Sequence, residues 1–449
     1  MLHPSLYPGD GIFVLAHTRV SVFSHILAVV IGGFRLPLAP SLLTAWLLST
    51  FLFLYACRRL AVRVFGNDRV SWTAVLFAAA CFTLPVAGTA LFIMDPYLTA
   101  RSFSTPFSLL AVVAALDGSR PRTALWVILT AIMHPQMAAY LIGFLIVLTL
   151  VDKGRWQIAI GLSLLGIAGC GVLWLATLRS PVTAAYREAV LSRSYFFPTQ
   201  WTWYEDIGLF APLALLAFAW IRCGSERVCG KIAAACCLLG TATCAAAFLF
   251  VHVQGPYLLA RIQLLRSFQL IYVLGLVLLG GVLATAFQHR LRWLPPLLFL
   301  VAAAGMFVAE VRSYSGSAHI EWPGSAPISP WSQALVWIKG HTAPNAVFAV
   351  SPSLLISPAE DLAGFRARAE RSVLVDNKDE GVASIFPAVA PAWKERSVAE
   401  QDLDSMSPAQ RAARLAPWGV TWLVLPTPVA QSLSCSYRNI AVAVCPVKP

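Results

Sequence analysis

Four polar clusters interrupt an otherwise apolar sequence, and their residue types suit acid–base and anion-binding chemistry. Tyr7-Pro8-Gly9-Asp10 is a turn that ends in a carboxylate. Asp95-Pro96-Tyr97-Leu98-Thr99-Ala100-Arg101-Ser102 joins two apolar stretches with no long loop to hold it in solvent. If this link faces a cavity, Arg101 can hold an anionic group while Asp95 takes a proton or helps bind a metal. His134-Pro135-Gln136 offers an imidazole as hydrogen-bond partner or proton acceptor. Tyr257, Arg261, Gln263 and Arg266 precede another apolar span, and two guanidinium groups there suit a lipid phosphate or diphosphate, whose oxygens accept paired hydrogen bonds. Each cluster also has a plainer reading: a loop acid or helix cap for Asp10, a mutual pair for Asp95 and Arg101, a structural histidine, and headgroup anchoring by the arginines. The stretch from Tyr195 to Asp206 adds Trp201, Trp203 and Tyr204 beside Glu205 and Asp206, which suits an interfacial aromatic belt or a sugar-stacking face.

The elements that must position these groups are membrane helices. Of 449 residues, 58% are hydrophobic and 12% charged, and the mean hydropathy is +0.71, so most of the chain must face lipid. About ten apolar segments lie near residues 39–57, 71–93, 104–116, 122–134, 137–151, 156–178, 207–222, 231–251, 267–288 and 293–310. Residues 1–310 therefore form a helical membrane domain, and 311–449 a small soluble α/β domain. Alternate connections collect Arg58, Arg59, Arg63, Arg69, Arg120, Arg122, Lys153, Arg155, Arg222, Arg227, Lys231, Arg290 and Arg292 on one side, which marks that side as cytoplasmic. The net charge of +12 is thus a topology signal, and no nucleic-acid partner is expected. Both the Met1 region and the soluble tail fall on the non-cytoplasmic side, and this parity predicts a further span upstream of Met1.

Several segments are too short to cross a bilayer squarely, notably 104–116 and 122–134, and Pro135 blocks a straight continuation into 137–151. Short or broken spans border protein or a water-filled cavity, so an outward-open cavity is expected near Asp95 to Thr105 and His134. In the tail, Ser329-Pro330 and Ser407-Pro408 read as helix caps, and Ala346–Val350, Ser372–Asp376, Val420–Leu425 and Ile440–Val444 as strands. Eight of the ten cysteines lie in or beside spans and read as packing residues, whereas Cys435 and Cys445 sit in the tail and can form a disulfide in an oxidising compartment. No Walker loop, HExxH, GxSxG or paired CxxC occurs, which excludes ATP-driven pumping by this chain alone, the common zinc proteolysis and elbow-type serine hydrolysis.

This layout resembles the C-class (GT-C) membrane glycosyltransferases. It is most similar to bacterial members with Leu-Tyr-Pro-Gly-Asp near the start, Asp-Pro-Tyr-Leu-Thr-Ala-Arg-Ser in the second outer loop, a following His-Pro, and Arg371-Ser372-Val373-Leu374-Val375-Asp376 in the soluble part. The resemblance implies a transferase acting on the outer face of the inner membrane with a polyprenyl-phosphate sugar as donor. It makes Asp10 the general base for an acceptor hydroxyl and Asp95 the second acidic motif, in some members tied to a divalent metal such as Mg or Mn. Arg261 or Arg266 would hold the donor phosphate. Neither acid here stands in an Asp-x-Asp or Glu-x-Asp pair. A multi-pass transporter and a non-catalytic membrane scaffold are the alternative readings.

Overall fold

The computed structural model describes residues 2–287, 291–315, 322–327, 329–355 and 364–447; Arg290 and Lys448 lie outside them. The chain divides into two compact units, one made of Met1–Arg19, Val182–Arg193 and Ala309–Pro449, the other of Val20–Pro181 and Ser194–Val308. The first therefore gathers two segments that the sequence reading had left in the membrane domain.

The second unit is helical. Among the described residues, seven helices are long and apolar enough to cross a membrane: Leu38–Phe65, Pro135–Asp152, Trp156–Thr177, Trp203–Cys223, Val228–Phe250, Leu258–Phe287 and Leu294–Ser313. The expected ten counted apolar segments, not helices of that length. Two of the remaining three are the helices Ala100–Leu116 and Arg120–Met133, of 17 and 14 residues. The third, expected over 71–93, is helical only as Asp68–Ala80. Pro85 cannot donate to a helical ladder, and the chain instead turns back on itself, with the Val86 amide donating to Leu91 O at 2.8 Å and the Ile93 amide to Leu84 O at 3.1 Å. Ala87 and Ala90 take left-handed φ of 46° and 55° to make this turn. Val86, Leu91 and Ile93 are buried, which is the condition under which non-helical backbone persists at membrane depth.

Helices Asp68–Ala80 and Phe268–Phe287 approach closely where Gly280 omits a side chain: a Cβ there would lie 2.9 Å from Phe77 Cβ and 3.0 Å from Ala74 Cα. Because one of these atoms is backbone, Gly280→Val is expected to force the helices apart at a cost of about 1–3 kcal/mol. A lowered thermal unfolding temperature in detergent is the expected readout; an unchanged one would mean that the helices do not touch there.

The first unit carries a five-stranded sheet of order β2-β1-β3-β5-β4, with β1 Val347–Val350, β2 Ser372–Val373, β3 Trp422–Pro426, β4 Tyr437–Arg438 and β5 Val442–Pro446. β1 runs parallel to β2 and β3, and β5 runs antiparallel to β3 and β4. Period-two alternation splits the strands between two faces. Phe348, Val350, Val424, Val442 and Val444 pack on Trp331, Leu335, Ile338 and Phe365 of the helices Pro330–His341 and Phe365–Ala369. Ala349, Leu423, Leu425 and Ala443 pack against Ala399 and Leu415 of the helices Ala390–Glu400 and Pro408–Leu415 on the opposite face. Cys435 and Cys445 are bonded to each other in this sheet region.

Candidate functional site

In the helical unit the polar link after Met94 is built as a helix entrance. Thr99 caps the helix Ala100–Leu116: its hydroxyl accepts from the Arg101 amide at 3.2 Å, and Ser102 Oγ accepts from the Thr99 amide at 3.0 Å. The same Thr99 hydroxyl donates to Asp95 Oδ2. Arg101 Nη2 pairs with Asp95 at 3.0 Å, and the carboxylate side chain is 5% exposed. Trp46 Nε1 donates to the Asp95 carbonyl at 3.0 Å and fixes the turn. Asp95 and Arg101 are therefore a mutual pair, and each Asp95 oxygen already has a donor.

His134 sits in extended backbone between helices Arg120–Met133 and Pro135–Asp152, with its Nδ1 buried and without a partner. It lies within electrostatic range of Asp95, Arg101 and Arg266. Arg266 in turn senses Arg101 and Asp95, and its guanidinium carbon stands 5.4 Å from the centre of the Tyr195 ring. The structure thus brings Asp95, Arg101, His134 and Arg266 into one electrostatic neighbourhood. The Nε atoms of Arg101, Arg261 and Arg266 are all buried without a hydrogen-bond partner. Such buried donors are costly unless something accepts from them. A small recess between Thr89, Tyr195, Phe196, Leu259 and Gln263 opens beside Arg266.

Gln263 and Tyr257 have other duties. Gln263 adopts the left-handed conformation, φ 54° and ψ 52°, and breaks the helix between Leu258–Ile262 and the turn Leu264–Ser267. Tyr257 is buried, its hydroxyl donates to Val253 O at 3.0 Å, and its ring meets Phe197 edge-on. Trp203 and Tyr204 are exposed as an interfacial belt requires, while Glu205 accepts from the Thr202 amide at 2.8 Å as a helix cap. Among the described residues, no group of three or more His, Cys, Asp or Glu is placed to hold a metal ion. With its oxygens engaged by Thr99 and Arg101, Asp95 does not fit as the carboxylate of an Mg or Mn site.

Asp10 belongs to the other unit, where it is 2% exposed. Its Oδ2 accepts from Arg366 Nε at 2.7 Å and the Val373 amide at 3.2 Å, and its Oδ1 accepts from Arg396 Nη1 at 3.3 Å. Arg366 also forks onto Asp379 at 2.6 and 2.8 Å and donates to Val373 O at 3.0 Å. Asp376 turns its carboxylate to the amides of Phe365 and Arg366, at 3.1 and 3.0 Å. Phe13 lies between the guanidinium groups of Arg366 and Arg396, at 5.6 and 5.1 Å. Burial opposes the Arg366 charge, but Asp379, Asp10 and Asp376 outweigh it and raise its pKa, so the guanidinium stays ionised. This is the environment of a structural ion-pair network, and it differs from the open carboxylate that a general base requires. The segment Val182–Arg193 is held in the same unit by Glu188 with Lys394 at 2.6 Å and Arg193 with Glu380 at 3.6 Å.

Sequence reasoning missed Arg366, Arg396 and Asp379, which carry no local motif, and Tyr140, which reads as one more residue of an apolar span. No protein-family model matches the chain, and no curated protein matches it at a significant level.

Proposed function

We propose that this chain is a membrane glycosyltransferase of the GT-C type that moves a sugar from a polyprenyl-phosphate donor to an acceptor on the outer face of the inner membrane. The observation that carries this reading is the Arg266 guanidinium, stacked on Tyr195 with a buried Nε that nothing accepts from. Arg101 stands within its electrostatic range, with a second unpartnered Nε. Two cations here face the charge of Asp95, and the surplus suits a phosphate, which accepts several charge-assisted hydrogen bonds at once. As the sugar leaves, negative charge grows on that phosphate, and preformed donors stabilise it.

In this reading Arg266 and Arg101 hold the phosphate, with Arg261 beside the helix break as a further cation. Asp95 keeps Arg101 in place, and the unpartnered His134 nitrogen is available as a hydrogen-bond partner. Asp10 holds its own unit together through Arg366 and Arg396. All ten apolar segments lie in the membrane, and the C-terminal sheet region is non-cytoplasmic.

The test is a cryo-EM structure with a polyprenyl-phosphate analogue, where density at Arg266 and Asp95 is expected. A genetic test accompanies it. In a strain whose glycan profile changes when the gene is deleted, Asp95→Asn is expected to lower the transfer rate about tenfold, because the amide loses the charge that holds Arg101; full restoration would remove Asp95 from the site. A second reading rests on the helix broken at Gln263, since discontinuous helices also mark transport paths. Uptake of a labelled solute into proteoliposomes would favour it.

A further inference from the structure

Gln263 is an unusual place to break a membrane helix. It has a Cβ, yet it takes the left-handed conformation that side-chain-bearing residues avoid. The sequence Leu258-Leu259-Ala260-Arg261-Ile262-Gln263-Leu264-Leu265-Arg266 has no proline or glycine to impose the break. The interruption also frees the carbonyls of Ile262 and Gln263 from the ladder that a continuous helix would provide. Something outside this helix must hold the broken form.

Two side chains from helix Pro135–Asp152 do so. Gln136 Nε2 donates to Ile262 O at 2.7 Å and to the Tyr140 hydroxyl at 2.8 Å. The Tyr140 hydroxyl lies 2.5 Å from Ile262 O and 2.8 Å from Gln263 O. The single Tyr140 proton is shared between the two carbonyls at the break, Ile262 O and, at the longer distance, Gln263 O. That carbonyl also accepts the backbone amide of Arg266, at 2.9 Å. The Tyr140 hydroxyl and the Arg266 amide therefore converge on one oxygen, so the clamp ends one hydrogen bond from the backbone that carries the Arg266 side chain. Gln136 and Tyr140 are four apart on one helix and present their polar ends to the same side.

We infer that Gln136 and Tyr140 are positioning residues that hold the helix break at Gln263 and thereby aim the Arg266 guanidinium for binding a phosphate group. The inference rests on the phosphate-binding reading of Arg266 and adds to it the device that sets its geometry. Without the Tyr140 hydroxyl, the segment Leu258–Ser267 gains freedom to regain helical backbone, which rotates Arg266 away from Tyr195.

The experiment measures binding of a short-chain polyprenyl phosphate to the full-length protein in detergent by titration calorimetry, with a thermal unfolding curve for each variant. Tyr140→Phe keeps the ring and removes the hydroxyl. It is expected to weaken binding about tenfold in the wild-type background and to have no further effect when Arg266→Ala is already present. A loss of the same size in both backgrounds, or none in the first, overturns the inference. Gln136→Met serves as the second variant if Tyr140→Phe fails to fold. If Arg266→Ala itself leaves binding unchanged, the phosphate reading fails, and the clamp is judged by cryo-EM of Tyr140→Phe. Arg266 should then leave its 5.4 Å stacking on Tyr195; an unmoved Arg266 sinks the clamp as well.

Discussion

Arg366→Met is expected to destabilise the unit containing Asp10 by about 3–5 kcal/mol, the range for removing one partner of a buried charge network. The arginine is 7% exposed and binds Asp10 and Asp379 through its guanidinium. Methionine fills much of the volume but leaves those carboxylates buried without their cation. Asp10→Asn should cost less, about 1–2 kcal/mol, since it keeps an acceptor and leaves Arg366 forked on Asp379. Arg366→Met should also acquire an acid-favouring stability profile. Burial raises the pKa of Asp379 against the pull of Arg366, so without the arginine it rises further above the unfolded value of about 3.9. Its contribution is complete below that value and is lost as pH rises through the folded one. Thermal unfolding and limited proteolysis of the first 19 residues, compared at mildly acidic and mildly basic pH, test both statements. A variant as stable as the parent across this range would show that the network is not closed in solution.

Arg266→Ala should reduce affinity for a polyprenyl phosphate by about 10- to 100-fold, the worth of one charge-assisted hydrogen bond at about 1.5–3 kcal/mol. Arg266→Lys should recover only part of the loss, because an ammonium keeps the charge but cannot fork onto two oxygens or stack on Tyr195 as a planar group. The thermal unfolding temperature should change little, because the lost stacking on Tyr195 is offset by removal of a buried Nε that has no acceptor. Equal binding by Arg266→Ala and the parent would remove the phosphate from this site.

What could be read in the sequence was local. Ser329 and Ser407 cap their helices through the expected side-chain bonds, to the amides of Ser332 at 3.1 Å and Gln410 at 3.3 Å. The strand signals fell within a few residues of β1, β2, β3 and β5, because alternation and β-branched runs are properties of neighbouring residues. The apolar run at 71–93 misled for the opposite reason. Hydropathy registers burial but not backbone form, and Pro85 ends helical continuity while the side chains stay buried. The break at Gln263 was invisible because its cause lies on another helix, at Gln136 and Tyr140. Asp10 was recognisable as a notable acid, but its role depends on an arginine 356 residues away. No spacing rule links such residues.

That separation also has a temporal side. Asp10 is made before Arg366, which emerges 356 residues later. At about 5–20 residues per second this is a wait of about 20–70 s. Throughout that interval the acid has no counter-ion of its own, and β3 and β5, later still, do not yet exist. The segment around Asp10 must therefore wait without these partners while the apolar helices between it and Arg366 are made. Chains that stall before Arg366 would display Asp10 without its partners, a recognisable mark of incomplete synthesis for a quality-control protease.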